Sequence, residues 1–340
     1  MAGVELSSGV VHVVIGRSEG TRLRIFGRGE SPLAEGAVSG GLVTDRAAAA
    51  DALRSAFAAA EHAQRAERVV VAVDSDDMRT FHFLTAFERE DLRSAMGAGE
   101  ESRATREAIA VAAARAAAAT EEDPGLRGVA TARLHEDVEA LALDGRTLRS
   151  LVGHRGRLVE VWTEVTCGSL VVSSAVSATL DAARRRGTLV SGAYALGRLV
   201  SLSGLSDVGI VRLATDLTAL AVVREGRVAA TRVFGLGRTA LAARVGRSDD
   251  DGRVWADCVI ASLRGLDSPP PGRWLFVGVP ESLLALPRAL GAAVSEMRGE
   301  AVDIGPLGIA LAPSVYGDVG LRPDDLVAAS AAALAAGVQG

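Results

Sequence analysis

Residues 68–74, "RVVVAVD", are apolar without alternation. A strand of that kind needs cover on both faces, which places it centrally in an α/β sheet with helices on either side. Its surroundings agree. Residues 3–29 alternate as strands: "VVHVVIG" at 10–16 and "TRLRIFGRG" at 21–29 fold back through a Ser-Glu-Gly turn, and a looser strand follows around "GAVSGGLV". Thr44 or Asp45 can cap the helix "RAAAADALRSAFAAAEHAQRA", whose Leu53, Phe57 and Ala60 lie on one face. Hairpin, helix and buried strand together make an α/β core.

The texture changes between about 76 and 165. A polar, irregular stretch leads into a helix at 103–119, "EEDPG" turns the chain, and two strand-like pieces follow, "GVATARLH" and "RLVEVWTEVTC". This reads as a small α+β insert. From 169 the α/β pattern resumes with "SLVVSS" ahead of the helix "AVSATLDAARRRG", whose arginines and closing Gly187 suit a helix C-terminus. Then come "TLVSGAYALGRLVSL", a second hairpin in "VRLATDLTALAVVREGRV" at 211–228, and a turn at "GLG" 235–237. The helix "RVWADCVIASLRG", the proline run "SPPPG" and the strand "RWLFVGV" follow, and a last helix begins near Pro323-Asp324-Asp325, where acidic residues favour the dipole. Two α/β halves thus each open with strand hairpins, and the insert interrupts the first.

Composition removes whole function classes. The 340 residues suit two or three modest domains, and a net charge of −5 offers no basic excess for nucleic acid. Aromatics, at 4%, are too few for base-stacking platforms. All 37 basic residues are arginine. Without lysine there is no P-loop lysine, no protein-kinase strand lysine and no pyridoxal Schiff base. Cys167 and Cys258 sit in apolar runs and allow neither a disulfide framework nor a zinc spacing, which fits a reducing interior. The opening "MAGVELSSGV" lacks the regions of a signal peptide, and the alanine-dominated runs near 108 and 326 are too broken or too short to span a bilayer. A cytoplasmic protein is expected, with any membrane recruitment through a partner.

The order of segments resembles the FtsA family of bacterial cell-division actin homologues, and more distantly the PilM pilus-assembly family. "GESPLAEGAVSGGLVTD" at 29–45 is similar to the family's segment before its capped helix. In the insert, "ARLHEDVEALALDG" at 132–145 resembles a Leu-His…Asp-Gly signature carried by Leu134, His135, Asp144 and Gly145, the residues expected to meet a partner. "SAVSATLDAARRRG" at 174–187 stands where the family has the helix after its insert, and "GIVRLATDLTALAVVREGRVAATRVFGLG" matches the second phosphate hairpin in length and strand pattern. The resemblance implies an actin-like (ribonuclease-H-like) fold with ATP between two α/β domains. It divides the chain into 1–77 (first part of domain IA), 78–165 (an SHS2 or 1C insert used for self-association and partner contacts), 166–306 (domain II) and 307–340 (return to IA). The stretch between Gly237 and Trp274 is too short for subdomain IIB, which is expected to be largely missing.

The nucleotide motifs are degenerate. The family's first loop, Asp-Ile-Gly-Thr-Ser, is matched by Glu5, Leu6, Ser7, Ser8 and Gly9, so the carboxylate is longer and the first glycine is lost. The second loop, Asp-Ile-Gly-Gly-Gly-Thr-Thr-Asp, is matched by Arg212, Leu213, Ala214, Thr215, Asp216, Leu217, Thr218 and Ala219. A cation replaces the Mg²⁺-side aspartate, and a Cβ at every glycine position blocks the backbone approach that phosphates need. Arg212 could meet a phosphate alone but would repel the metal. At the adenosine segment Gly278 remains, while Val279 and Pro280 replace open backbone. The expectation is a pseudo-ATPase without cofactor: ATP and Mg²⁺ would enter only if that reading failed.

Other constellations are weak. "GLGRTA" at 235–240 matches a dinucleotide fingerprint but lacks the acidic residue that closes the unit. His135, Glu136, Asp137 and Glu139 are ligand types, yet a strand should point them to opposite faces, which reads as an insert surface patch rather than a metal site. "RSDDDGR" at 247–253 lacks the spacing of a calcium loop, and the histidines at 12, 62, 82, 135 and 154 support no triad. Three functions remain: an FtsA-like scaffold binding an FtsZ-type filament or other divisome proteins, a PilM-like component binding the cytoplasmic peptide of a membrane protein, and an active ATPase or kinase of the same superfold. FtsA ends in a membrane helix, and none is evident here, so no direct membrane anchor is expected.

Overall fold

The computed structural model describes residues 1–61, 65–242, 250–264, 266, 268–309, 314–317 and 319–337. Three antiparallel strands open the chain: β1 (Ala2–Ser7), β2 (Val10–Glu19) and β3 (Arg22–Pro32). A short pair, β4 (Val38–Ser39) and β5 (Leu42–Val43), leads to α1 (Arg46–Ala60), where Asp45 accepts the Ala48 N–H at 3.0 Å as N-cap. The apolar run is β6 (Val69–Val73), every residue buried, and it lies parallel to β1 with Ala2 opposite Val69.

The insert is a four-stranded antiparallel sheet under one long helix: β7 (Met78–Glu88), α2 (Ala98–Glu122), β8 (Thr131–Leu143), β9 (Arg146–Leu148) and β10 (Leu158–Ser169), in spatial order β7-β10-β8-β9. Two expectations are corrected here. The stretch after 76 is not irregular: "MRTFHFLTAFE" is β7, whose phenylalanines on one face and polar residues on the other give a two-sided strand rather than a clean apolar signal. "SLVVSS" is not a separate element, because α3 (Leu170–Ala182) begins at Leu170, with Ser169 accepting the Val171 N–H at 3.1 Å.

The chain then returns to the first sheet. β11 (Thr188–Ser191) pairs parallel with β6, and α4 (Gly192–Ser201) follows it. β11, within the span expected for the second domain, thus completes the sheet of the first. The second half is β12 (Val208–Leu213), β13 (Thr218–Arg224), β14 (Arg227–Phe234), α5 (Arg238–Ala242), α6 (Asp250–Ser262), β15 (Arg273–Val277), α7 (Ala285–Arg298) and β16 (Asp303–Pro306), in sheet order β14-β13-β12-β15-β16. Among the described residues only α5 and α6 stand between β14 and β15, so no subdomain the size of IIB is present there. Finally β17 (Val315–Gly317) pairs with β3, and α8 (Leu326–Ala335) closes the fold.

The layers follow from which helix faces are apolar. α1 and α3 cover the outer face of the first sheet, burying Leu53, Phe57, Val176 and Leu180. α6 and α7 cover the outer face of the second sheet around Trp255 and Trp274. Between the sheets lie α4 and α8, whose residues join Val14 and Ile25 of one sheet to Ile210 and Leu275 of the other in one core. A helix apolar all round can only sit there: nine of the ten α8 residues are buried.

Candidate functional site

The two hairpin turns meet at the edge of the interdomain core. Glu5 on β1 and Asp74, one residue beyond β6, are both nearly enclosed. From the other sheet, Arg212 on β12 reaches across: its Nη1 donates to Asp74 Oδ2 at 2.7 Å and its Nη2 to Glu5 Oε1. Burial works against the guanidinium charge, but Glu5 and then Asp74 outweigh it, so its proton is held more tightly than in water. The other carboxylate oxygen of Asp74 accepts the Ala193 N–H at 2.9 Å and so satisfies the N-terminus of α4. Sequence reasoning did not single out Asp74. An acidic residue closing a doubly buried strand was the available signal.

The loops are bonded to each other by side chains. Ser8 donates its hydroxyl to Asp216 Oδ2, which also accepts the Gly40 N–H at 3.2 Å, and Thr215 donates to the Ser8 carbonyl at 2.9 Å. Ser7 turns inward, its hydroxyl on the Val10 carbonyl at 3.3 Å. Five of the residues expected around a nucleotide, Glu5, Ser7, Ser8, Arg212 and Asp216, are thus brought together. Thr218 is not with them: it is fully buried, donates to the Leu236 carbonyl at 2.5 Å and accepts the Trp255 Nε1–H at 3.0 Å inside the second domain. Gly278 serves the backbone, with φ of +72° in the bend after β15. A cavity of about 290 Å³ remains beside this clasp, where Arg28, Arg238 and Arg322 stand with Glu30 and Asp324.

The insert meets the core along a polar seam. His135, Asp137 and Glu139 do not diverge: alternate residues of a strand share a face, and from this face of β8 Asp137 reaches α4. Tyr194 of α4 donates its hydroxyl to Asp137 Oδ2 at 2.9 Å, and Arg198 Nε lies 3.5 Å from the same oxygen. His135 Nδ1 is 2.8 Å from Glu164, and His82 Nδ1 is 3.2 Å from Glu139. Burial disfavours the His135 charge, but Glu164, through space and by hydrogen bond, prevails and raises its pKa. The Tyr194 pKa rises well above its ordinary value, first from burial and then from Asp137, Glu139 and Glu164, so the hydroxyl stays a donor. The expected surface patch is divided: His135 and Glu139 are turned into the seam, while Glu136 on the opposite face is exposed. Among the described residues no three His, Cys, Asp or Glu groups converge to hold a metal, and residues 247–249 of "RSDDDGR" lie outside the described residues.

The remaining signature residues do structural work. Leu134 packs against the first domain's core. Asp144 and Gly145 make the two-residue turn between β8 and β9, with φ of +50° and +76°, a conformation that asks for Asp or Asn followed by Gly. The Asp144 carboxylate accepts the Leu158 N–H at 2.8 Å and the Arg157 N–H at 3.0 Å, which holds its pKa low. Beside the seam runs a groove of about 430 Å³, formed by Glu139, Leu141 and Leu148 of the insert, Arg198 and Leu202 of and after α4, and Arg227 of β14. No helix among the described residues is long and apolar enough to cross a membrane.

No protein-family model matches this sequence, and no curated protein matches it. Solved structures do. PilM, from the PilM–PilN type IV pilus biogenesis complex, aligns over 100% of this chain and 98% of its own, with TM-score 0.56 and 16% identity. The ethanolamine utilization protein EutJ from Carboxydothermus hydrogenoformans aligns over 98% and 88%, with TM-score 0.48 and 14% identity. The inorganic polyphosphate/ATP-glucomannokinase of an Arthrobacter strain aligns over 99% and 98%, with TM-score 0.43 and 11% identity. Two α/β halves facing each other across α4 and α8, with an α+β insert in the first, make this an actin-like fold of the kind PilM has.

Proposed function

We propose that this chain is a nucleotide-independent actin-fold scaffold that binds protein partners, of the PilM kind. The observation that carries the reading is Arg212, whose guanidinium already occupies both Glu5 and Asp74. Mg²⁺-ATP does not fit these residues: a metal would have to displace a buried cation from its two carboxylates. The loop at 214–217 offers side chains bonded across the cleft instead of free backbone N–H groups. In PilM the fold serves an assembly whose structure holds it with PilN. For this chain we place the partner, a segment of a membrane-associated protein, in the groove between insert and α4. A second reading, an FtsA-like division scaffold with an FtsZ-type or divisome partner, rests on the 132–145 resemblance. Titration calorimetry with ATP and Mg²⁺, on wild type and on Arg212→Asp, tests the common part. No heat from wild type is expected, and micromolar binding by wild type would return the chain to the ATP-switched actins.

A further inference from the structure

Both ends of α4 carry polar anchors to different parts of the molecule. At its N-terminus Asp74 Oδ1 accepts the Ala193 N–H at 2.9 Å, with the Ser191 hydroxyl 3.4 Å away and the Ser191 Oγ taking the Tyr194 N–H at 3.3 Å. The same Asp74 is held by Arg212 through its other oxygen. One turn along, Tyr194 and Arg198 both reach Asp137 of the insert, and the Tyr194 ring packs 5.9 Å from the ring of His135 and 6.1 Å from that of His82. These contacts form one continuous path: Glu5, Arg212, Asp74, α4, Asp137, then His135 and Glu164. Arg198, on this path, lines the groove, as does Glu139, the partner of His82.

We infer that Arg212 is a positioning residue for the insert: by clamping Asp74 it fixes α4, and α4 in turn fixes the seam and the width of the groove. The clasp thereby takes over a part a nucleotide would play elsewhere, setting the relation of two domains and an appendage by a bond internal to the chain. Three features make α4 suited to this. It is buried along its whole length, so it has no solvent side on which to relax. It packs on α8, β13 and β14 as well, so it moves as a body. And its insert-facing groups are a hydrogen-bonded Tyr194 and an Arg198 paired by charge with Asp137, so a small shift costs specific polar contacts rather than interchangeable apolar ones. This inference goes beyond the scaffold reading and does not depend on which partner binds.

Coupling between sites is reciprocal, and that supplies the test. Native-state hydrogen exchange on the full chain would follow amides 133–141 in β8 and amides 6–9 and 213–217 at the clasp, in wild type, Arg212→Leu, Tyr194→Phe and Leu290→Ala. Leu290 is fully buried in the outer core of the second domain and touches neither site. Arg212→Leu is expected to speed exchange in β8 by 5- to 150-fold, roughly the span of coupled sites, and Tyr194→Phe to speed exchange at the clasp. Leu290→Ala should do neither. If Arg212→Leu does not fold, Asp74→Asn decides: it weakens the ion pair and keeps an oxygen for the Ala193 N–H. Insert amides that exchange at the wild-type rate in the clasp variant overturn the inference. So does equal acceleration in Leu290→Ala, which would mean that only global stability had changed. ATP binding would sink the proposed function and leave this result untouched.

Discussion

Arg212 stands between two carboxylates that would otherwise face each other in a dry site. Removing a single member of such a cluster leaves uncompensated buried charge, which costs about 3–5 kcal/mol, whereas replacing the cluster with apolar side chains of similar volume is near neutral. Arg212→Ala should therefore lower the urea-unfolding free energy by that amount at pH 7, and Glu5→Leu/Asp74→Leu/Arg212→Met together should recover most of it. A triple variant no more stable than Arg212→Ala would mean that lost packing, not unpaired charge, dominates. His135 adds a dependence on pH. Its pKa is raised in the folded chain, so the contribution of its pair with Glu164 is complete below the unfolded value of about 6.5 and disappears as pH rises through the raised one. Wild type should lose more stability than His135→Gln as pH rises above about 6.5 in parallel urea titrations. His12, raised by Asp325 and Glu5 against a larger burial penalty, adds a slope of the same sign that both proteins share. The substitution at 212 was legible in the sequence because it broke a spacing, whereas its second partner was not. Asp74 lies 138 residues from Arg212 in the chain, and only the parallel pairing of β6 with β1 puts it beside Glu5.

At the scale of elements, the alanine runs acquire a reason. "LVAASAAALA" is α8, and its small side chains let the helix lie directly on the first sheet, where β1 answers with Gly3. A Cβ on Gly3 would fall inside the Ala328 carbonyl oxygen and the Ala332 nitrogen, both backbone atoms that cannot swing away. α1 uses the same device, with Ala56 over Gly29 of β3. Gly3→Ala must push a central strand and a buried helix apart, so it should cost about 1–3 kcal/mol or more, whereas Gly99→Ala at an open position in α2 should be neutral or gain up to about 1 kcal/mol. Equal melting temperatures for the two variants would refute the tight packing. Sequence periodicity found α1, which has one apolar face, and β-branched runs marked the strands of both hairpins, although β12 and β13 are buried almost throughout. It left α4 unassigned, since a helix buried all round loses the contrast that periodicity measures, and it set "SLVVSS" apart although Leu170–Ser174 open α3. β7 was missed because neither face is uniformly apolar: its phenylalanines lie under α2, while the other face carries Thr80 and His82 at the seam and then exposed Leu84, Ala86 and Glu88.

The whole molecule is five layers, with α1 and α3 outside one sheet, α6 and α7 outside the other, and α4 and α8 shared between them. That plan was legible from the repeated hairpin-and-helix order, and the resemblance supplied the cleft between the halves. What sequence could not supply was the insert's footing on the core, because a seam of His, Asp, Glu and Tyr reads as surface until the helix opposite is known. The insert has its own small cores under α2, around Val159 and Val161 and around Val165 and Ala112, and it enters and leaves through adjacent antiparallel residues, Met78 opposite Gly168. Excising residues 79–167 and closing the gap with a short glycine turn should thus leave the five layers intact. The exposed footing would be Tyr194 and Arg198, which water can solvate, together with the site of Leu134 and the faces of β11 and β14 that β8 and β7 cover. The loss should therefore be the cost of a few hydrogen bonds, about 1–3 kcal/mol, plus that of one half-buried leucine, about 1 kcal/mol. Calorimetry of the excised chain would then show one cooperative transition a few degrees below that of the full protein. A broad, low-enthalpy transition instead would show that the first sheet and α3 need the insert to form, and that the seam is part of the core.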